Sequence, residues 1–356
     1  MPTSPVRVAV WSTGGIGTIA IRAIHRRPDL DLVGVWVHSP EKEGRDAGEL
    51  ADIGPIGVAA TTDVDTILGA GVDCVVYAAQ GPEQDAASVP DYVKLLSAGV
   101  NVSTTSSWAL LNPATYEPTW RAQLEAAAAE GGASIYATGI EPGFAADQLP
   151  LLLTTMSNSI TSIRASEIAM YDTYPVEFMM KEVMGFGKSL DDADALLGLP
   201  GSILSAWAPG INLMADALGA ELDEIREQFD AAATPRTLEV ACGTIEAGTV
   251  GAIRTQAIGV VAGRDAIVIE HVNRMAADLA PEWPTASRDG MYRITIEGDP
   301  DIVCEMAAGD PEHSSPGAMV ATAMRAVNAV PYLVDAPPGL CTALDLPITA
   351  PKHAFS

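Results

Sequence analysis

Hydrophobic positions change their spacing near residue 145. Up to that point, short continuous apolar runs alternate with stretches whose apolar residues recur at helical intervals. The runs "VRVAVW" (6–11), "LDLVGVWVH" (30–38), Val58–Thr61, "VDCVVYAA" (72–79), "VNVSTT" (100–105) and "ASIYAT" (133–138) read as strands buried on both sides. Helices are predicted for "GTIAIRAIHRRPDL", ended by Pro28, for "EGRDAGELADI", and over Val64–Ala70, Asp85–Ala98 and Pro113–Glu130, the last followed by Gly131 and Gly132. Strands alternating with helices predict a parallel sheet covered on both faces, a doubly wound α/β (Rossmann) domain over residues 1–145.

Beyond Gly143 the pattern is mixed. Helical spacing marks Ala146–Met156, Val176–Met184 and Ser202–Leu218, and "SITSIRASEIAM" (159–170) reads as a strand. From Pro235 to Met275 the chain is mainly β, in "TLEVACGTI", "GTVGAIRTQAIGVVAG" and "DAIVIEHVNRM", and "MYRITIEGD" and "DIVCEMA" follow. This predicts a second, α+β domain over 146–312 with a largely antiparallel sheet, whose open face suits a homodimer. The remaining 313–356 opens with a helix capped by Ser315, with Pro316 at its first position. Its apolar face of Ala318, Val320, Ala321, Met324 and Val327 predicts a return to the first domain.

Composition narrows the class of function. The chain has 356 residues, 48% hydrophobic and 19% charged, which suits a two-domain globular protein. No apolar run approaches the ~18 residues of a membrane span, and no basic segment with a long apolar run opens the chain, so a cytoplasmic protein is expected. A net charge of −26 repels polyanions and argues against nucleic acid and anionic membranes as partners, leaving a small-molecule substrate. Cys74, Cys242, Cys304 and Cys341 are scattered, as are five histidines, so neither a disulfide framework nor a metal site is expected.

Chemistry starts at the turn after the first strand. Ser12-Thr13-Gly14-Gly15-Ile16-Gly17 places Ser12 where the dinucleotide fingerprint usually has its first glycine. Gly14 lets the backbone approach a pyrophosphate, and Gly17 lets the following helix pack close while its N-terminal amides bind the anion. An NAD-binding chain usually has a carboxylate at the tip of the second strand, for the ribose 2′-hydroxyl. Here the tip reads His38, Ser39, then Lys42 and Arg45, a hydroxyl, an imidazole and cations that suit a 2′-phosphate. NADP is therefore preferred over NAD; the plainer alternative is that Lys42 and Arg45 only solvate a helix start.

"WSTGGIGTIAIRAI", "LVGVWVHSPEKEGRDAGEL", "GVNVSTTSSW", "ATGIEPGF", "MGFGK" and "ATAMRAVNAVPYLVDAPPGLCTALDLP" together resemble the dihydrodipicolinate-reductase-like NAD(P)-dependent oxidoreductases, a group similar to 2,4-diaminopentanoate dehydrogenase and the native amine dehydrogenases. The likeness covers nearly the whole chain, although the histidine pair of dihydrodipicolinate reductase itself is absent. It implies hydride transfer to a carbonyl or imine carbon in a cleft between a cofactor domain and a substrate-and-dimer domain. It also implies that Gly14–Gly17 contact the pyrophosphate and that His38, Ser39 and Lys42 lie near the adenosine ribose. Ala78, Ala79 and Gln80 would run past the nicotinamide ribose, Thr104 and Thr105 would approach the nicotinamide, and Asn328 would lie near its carboxamide. The glutamate thought to activate ammonia in native amine dehydrogenases belongs to the loop after the fifth strand. Here that loop, "TTSSWALLNP", has no acid, and the next, Glu117, falls inside the predicted helix.

Ligands of open parallel sheets sit beyond the carboxyl ends of the strands, so loops 103–113, 138–144 and 167–178 are candidates for the chemistry. Glu141, between Gly139 and Gly143, could act as general acid or hold an ammonium; the alternative is a helix-cap or salt-bridge residue. Tyr171 and Tyr174 could donate a proton to a carbonyl oxygen, or form a polar loop capping the next helix. His271 and Asn273 share one side of a strand and read more simply as sheet or interface residues. Trp108, Phe144, Phe178, Met179 and Phe186 suggest a hydrophobic pocket. The expected function is an NAD(P)H-dependent oxidoreductase acting on a C=N bond. A carbonyl reductase or alcohol dehydrogenase, and a non-catalytic NADP-binding sensor, are the alternatives.

Overall fold

Val6, Val8 and Val10 face one side of the first strand, Ala9 and Trp11 the other, and all five are buried. A strand with both sides apolar needs cover on both faces, and the rest of the first half supplies it. The computed structural model describes residues 4–79, 84–190 and 195–355. The chain divides into one unit of Met1–Gly143 with Met319–Ser356 and another of Phe144–Ala318.

The first unit runs β1 (Val6–Trp11), α1 (Gly15–Arg26), β2 (Leu30–Trp36), α2 (Ala47–Leu50), β3 (Ala60–Thr61), α3 (Val64–Gly69), β4 (Cys74–Tyr77), α4 (Gln84–Ser97), β5 (Asn101–Thr104), α5 (Pro118–Gly131) and β6 (Ser134–Ala137). The second runs α6 (Gln148–Thr154), β7 (Ser159–Met170), α7 (Ser202–Leu218), β8 (Glu224–Ala233), β9 (Leu238–Val240), β10 (Gly243–Ile245), β11 (Val250–Val261), β12 (Arg264–Arg274), β13 (Met291–Asp299) and β14 (Ile302–Ala307). Then α8 (Ser315–Val334) and β15 (Gly339–Cys341) lead back into the first unit from Met319 on.

The first sheet has the order β15-β6-β5-β4-β1-β2-β3, with every pairing parallel. Its strand order reverses between β1 and β4, the place where doubly wound sheets open a crevice at their carboxyl ends. One face packs Ile21 and Ile24 of α1 together with Val327, Val330 and Leu333 of α8, so the C-terminal helix does return to this sheet. Ser103 Oγ on β5 donates to the Ala326 carbonyl of that helix at 2.9 Å. The other face packs Tyr92, Leu95 and Leu96 of α4 and Leu124 of α5.

The second sheet has the order β14-β13-β7-β12-β11-β8, antiparallel except where β12 pairs with β7. α7 seals one face through Ile203, Ile211 and Met214 against Ile163, Ile267 and Ile294. Among the described residues no helix is long and apolar enough to cross a membrane.

Several elements depart from the sequence reading. The helix expected over Pro113–Glu130 is split: a 3-10 turn covers Pro113–Thr115, and α5 starts at Pro118. Proline disfavours helical backbone in the residue before it, so Glu117 is extended and caps α5 by accepting from Trp120 N at 2.7 Å. "TLEVACGTI" is a hairpin of β9 and β10, not one strand. The helix expected over Val176–Met184 is shorter and of π type, at Phe178–Val183. The sequence reading left β8 unassigned; pairing along β11 makes it a strand.

The face of the second sheet opposite α7 carries Glu270, fully buried. It accepts from Arg254 Nε at 2.8 Å, Ser166 Oγ at 2.7 Å and Gln256 Nε2 at 3.0 Å, with Arg164 Nη1 at 3.3 Å. Removing the carboxylate strands these cations against the sheet. Glu270→Ala is expected to cost about 3 kcal/mol in denaturant unfolding; a loss below about 1 kcal/mol would show that the arginines re-solvate freely.

Candidate active site

The turn after β1 is built around a contact that only glycine permits. A Cβ on Gly17 would lie 2.0 Å from the Ser12 carbonyl oxygen, so α1 packs directly on the turn. At Gly14 a Cβ would meet only Ser12 Oγ at 3.7 Å, leaving the approach to the backbone open. Ser12 itself has φ +92, in the left-handed region that favours glycine. The residue that replaces the fingerprint's first glycine therefore keeps the glycine conformation, and its hydroxyl accepts from Gly14 N at 3.3 Å. α1 begins without a side-chain cap and without an acid in its first turn. The amides of Gly15, Ile16 and Gly17 thus stand at the positive end of a 12-residue helix, where an anion is stabilised.

The segment after β2 reaches back to this turn. Ser39 opens a 3-10 turn at Pro40–Lys42, and Lys42 Nζ donates to Thr13 Oγ1 at 3.0 Å. The structure thus brings Lys42 onto the glycine turn. His38 is exposed, its ring 6.2 Å from that of Trp36. Behind them Asp46 fixes the following loop by accepting from Ile56 N at 3.0 Å, Gly57 N at 2.7 Å and Gly48 N at 2.7 Å. Those backbone bonds, Ile56 foremost, hold its carboxyl below the usual aspartate range.

Ala78 follows β4 and donates its N–H to the Trp11 carbonyl at 3.0 Å, so Ala78 and Ala79 lie beside the glycine turn; Gln80 lies outside the described residues. Thr104, expected to approach the nicotinamide, is fully buried, and its Oγ1 is engaged by Tyr92 Oη at 2.8 Å and Ser106 N at 3.0 Å. It serves the fold instead of facing a ligand. Thr105 is also buried, while Ser106 Oγ is buried with no protein partner, a polar atom that a bound group can satisfy. Trp108 is half-buried at the start of the next 3-10 turn.

Asn328 is not near this end of the sheet. Its Oδ1 accepts from Arg27 Nη1 at 2.7 Å, and Arg27 pairs with Asp29 just before β2 begins, at the amino end of the strands. The residue of α8 that does approach the carboxyl end is Thr322, whose Oγ1 accepts from Ile140 N at 3.3 Å. Ile140 belongs to the loop after β6, which closes tightly: a Cβ on Gly143, at φ +119, would lie 2.4 Å from Gly139 N. Glu141 sits on this loop, half-buried, with one carboxylate oxygen shut off from solvent.

The second unit gathers a different set. One row across its sheet reads Tyr292, Glu167, His271, Thr255 and Phe229, from β13 to β8. Glu167 is buried, and its Oε1 accepts from Tyr171 Oη at 3.2 Å and Asn273 Nδ2 at 3.3 Å, with His271 Nδ1 at 3.5 Å. Burial alone would raise its carboxyl, but His271 and these donors outweigh burial and hold it below the usual range, so it is ionised. Burial first, and then this carboxylate, push the Tyr171 phenol well above the ordinary tyrosine range. The Tyr174 ring meets that of Tyr171 edge-on at 5.9 Å, and Trp207 of α7 covers His271 at 4.4 Å. Phe144 is half-buried, and Phe178 and Met179 are exposed. Phe186 is not a pocket wall: it is fully buried with Met180, Met184 and Ile245. The sequence reading included Glu167 at the start of the candidate segment 167–178 without singling it out, because one strand read alone does not show which residue of β12 lies opposite.

The open helix N-terminus, the space over Gly14 and the lone Ser106 hydroxyl fit a bound dinucleotide at the carboxyl end of the first sheet. A family model described as "Dihydrodipicolinate reductase, N-terminus" matches residues 6–80, and one described as "2,4-diaminopentanoate dehydrogenase C-terminal domain" matches 144–354. The chain is similar to an amine dehydrogenase of Streptomyces virginiae, 39% identical over 348 residues and 96% of each chain. It is also 28% identical to the 2,4-diaminopentanoate dehydrogenase of Acetoanaerobium sticklandii, over 66% of this chain and 64% of that one. Among solved structures, an amine dehydrogenase from Mycobacterium smegmatis shares the fold with a TM-score of 0.79 at 21% identity, covering 99% of both chains. A biliverdin reductase from Synechocystis sp. PCC 6803 follows at TM-score 0.53 and 15% identity, over 94% and 92%. Fold and kinship define an NAD(P)-dependent oxidoreductase. The chain belongs to the family of 2,4-diaminopentanoate dehydrogenase and the amine dehydrogenases.

Two substitutions test the glycine turn. Gly17→Ala should weaken NADPH binding at least ~10-fold in a fluorescence titration, because the new Cβ must push α1 off the turn. Ser12→Gly should leave binding intact and stabilise the chain by about 1 kcal/mol, by relieving a positive φ. Undisturbed binding in Gly17→Ala would remove this turn from the site.

Proposed function

We propose that the chain is an NADPH-linked amine dehydrogenase that reduces the C=N bond formed from a small, partly hydrophobic ketone or aldehyde and ammonia. The observation that supports the chemistry best is the 39% identity to an amine dehydrogenase along 96% of the chain. The choice of NADP rests on Lys42, held at the glycine turn by Thr13 at 3.0 Å, where a 2′-phosphate needs a cation.

The nicotinamide supplies the hydride when bound. The chain's own residues bind, orient and move protons. The turn from Ser12 to Gly17 holds the pyrophosphate, with His38, Ser39 and Lys42 around the ribose phosphate and Ala78 and Ala79 along the nicotinamide half. Glu141, a half-buried carboxylate on a rigid loop, gives and takes the proton at nitrogen. Tyr171 keeps its proton at any working pH, so it acts as a hydrogen-bond donor and not as an acid that turns over. Tyr174 lies beside it, and Phe144, Phe178 and Met179 of the same unit are the apolar side chains for the substrate, as Trp108 is in the first unit.

A carbonyl reductase is the second reading, favoured by the lack of an acid in the loop after β5. Consumption of NADPH with short ketones and aldehydes, each with and without ammonium chloride, separates the two. The proposed activity requires ammonium and falls ~100-fold or more in Glu141→Gln. Equal rates without ammonium would establish the carbonyl reductase. In the same assay, Lys42→Ala should raise KM for NADPH roughly tenfold and leave that for NADH unchanged. An equal effect on both cofactors would place Lys42 away from the 2′-phosphate.

A further inference from the structure

The second unit buries two glutamates on opposite faces of one sheet and satisfies them unequally. Glu270 receives Arg254 Nη2 at 2.6 Å and Nε at 2.8 Å, Ser166 Oγ at 2.7 Å and Gln256 Nε2 at 3.0 Å. Glu167 is 9% exposed, and neither arginine nor lysine is among its contacts. Its three neighbours stand at 3.2 Å (Tyr171 Oη), 3.3 Å (Asn273 Nδ2) and 3.5 Å (His271 Nδ1). Ordinary bonds are shorter, about 2.7–2.8 Å from a hydroxyl and about 2.9–3.0 Å from an N–H. All three neighbours also fall on Oε1, and Oε2 receives none of them. A buried ionised carboxylate with stretched donors on one oxygen has room for a cation at the other.

Glu167 also lines a cleft with Tyr171, Gly290, Tyr292 and Ser314. Asp289 builds that cleft: its Oδ1 accepts from Met170 N at 2.7 Å and its Oδ2 from Ser314 N at 2.9 Å. A second negative charge is thus spent on backbone beside the first, with His271 on the far side of Glu167. Among the described residues no group of three or more His, Cys, Asp or Glu could hold a metal ion, which disfavours a metal as a cation on Oε2, opposite the oxygen that His271 faces. A primary ammonium, with three N–H donors on an apolar stem, suits one carboxylate oxygen in a cleft walled by two tyrosines.

We infer that Glu167 anchors the amine nitrogen of the substrate, its Oε2 taking the ammonium of a primary alkylamine. The inference rests on the amine dehydrogenase reading and names the residue that recognises the charge. Calorimetric titration of the full chain with butylammonium chloride tests it, in the presence of NADPH, with which an amine cannot react, and with ionic strength held by potassium chloride. Butylammonium should bind at least ~30-fold more tightly than butan-1-ol, its uncharged counterpart, and Glu167→Gln should abolish that preference. Equal affinity for the two in the unsubstituted chain would overturn the assignment even if the variant did not fold. So would a folded Glu167→Gln that kept the preference within about threefold. Ammonium chloride binding as tightly as butylammonium would place the free ion there and overturn the alkylamine assignment. Ammonium-dependent turnover without the preference would sink the anchor alone, whereas the preference without turnover would sink the proposed activity alone.

Discussion

The approach of α1 to the turn after β1 governs what the first unit can bind. With only 2.0 Å between a would-be Gly17 Cβ and the Ser12 carbonyl, the helix starts as close to the strand as backbone allows. That closeness aims three free amides at the crevice where the strand order reverses between β1 and β4. The contact also explains why Ser12 tolerates φ +92: the strand before it and the helix after it leave the chain no other path. Its hydroxyl recovers part of the strain by accepting from Gly14 N. Lys42 and Ala78 reach the turn from the neighbouring strands, so the cofactor end of the unit is assembled around this one close approach.

In the second unit the governing constraint is charge in a place that excludes water. Strand alternation puts Glu270 and His271 on opposite faces, and the parallel register sets Ser166 beside the first and Glu167 beside the second. One face closes its charge with arginines and contributes stability. The other, roofed by α7 through Trp207, leaves its carboxylate with stretched neighbours. A sheet that can satisfy one buried glutamate so fully does not lack the means to satisfy the other. That difference supports reading Glu167 as a site and Glu270 as part of the frame.

The alternation of apolar runs with helical spacing was enough to read the parallel sheet and its glycine turn, because both depend on local pattern. The return of α8 was legible, but not its face: Val320 is exposed, and Ala326, Val330 and Leu333 join Val327 against the sheet. Elements that depend on long-range pairing were not. β8 alternates charged residues with Ile225 and Phe229, and only β11 makes it a strand. Asn328 lies on the right helix but two turns too far along, where Arg27 claims it. Glu167 was not singled out for a related reason, since His271 and Asn273 come from β12 and meet it only through the parallel register, while Tyr171 follows β7 on the same stretch of chain. That Glu141 lies on a loop was legible, because Gly139 and Gly143 shape one around it wherever the chain goes.

The loop after β5 shows why the amine chemistry has to draw on other residues. Its Thr104 hydroxyl is committed to Tyr92 and to Ser106 N, and Ser107 Oγ meets the same phenol at 3.1 Å. Burial raises that phenol far above the ordinary tyrosine range, so the cluster holds its protons and exchanges none with a substrate. Ser106 can offer a hydrogen bond but carries no charge. A reaction that makes an ammonium from a neutral imine needs both a proton relay and a counter-charge. We propose the relay for Glu141 and the counter-charge for Glu167. A relay carboxylate must change its protonation in every turnover, which a half-buried loop permits. A counter-charge must never change it, and His271 with the donors around Glu167 holds that carboxyl below the usual range.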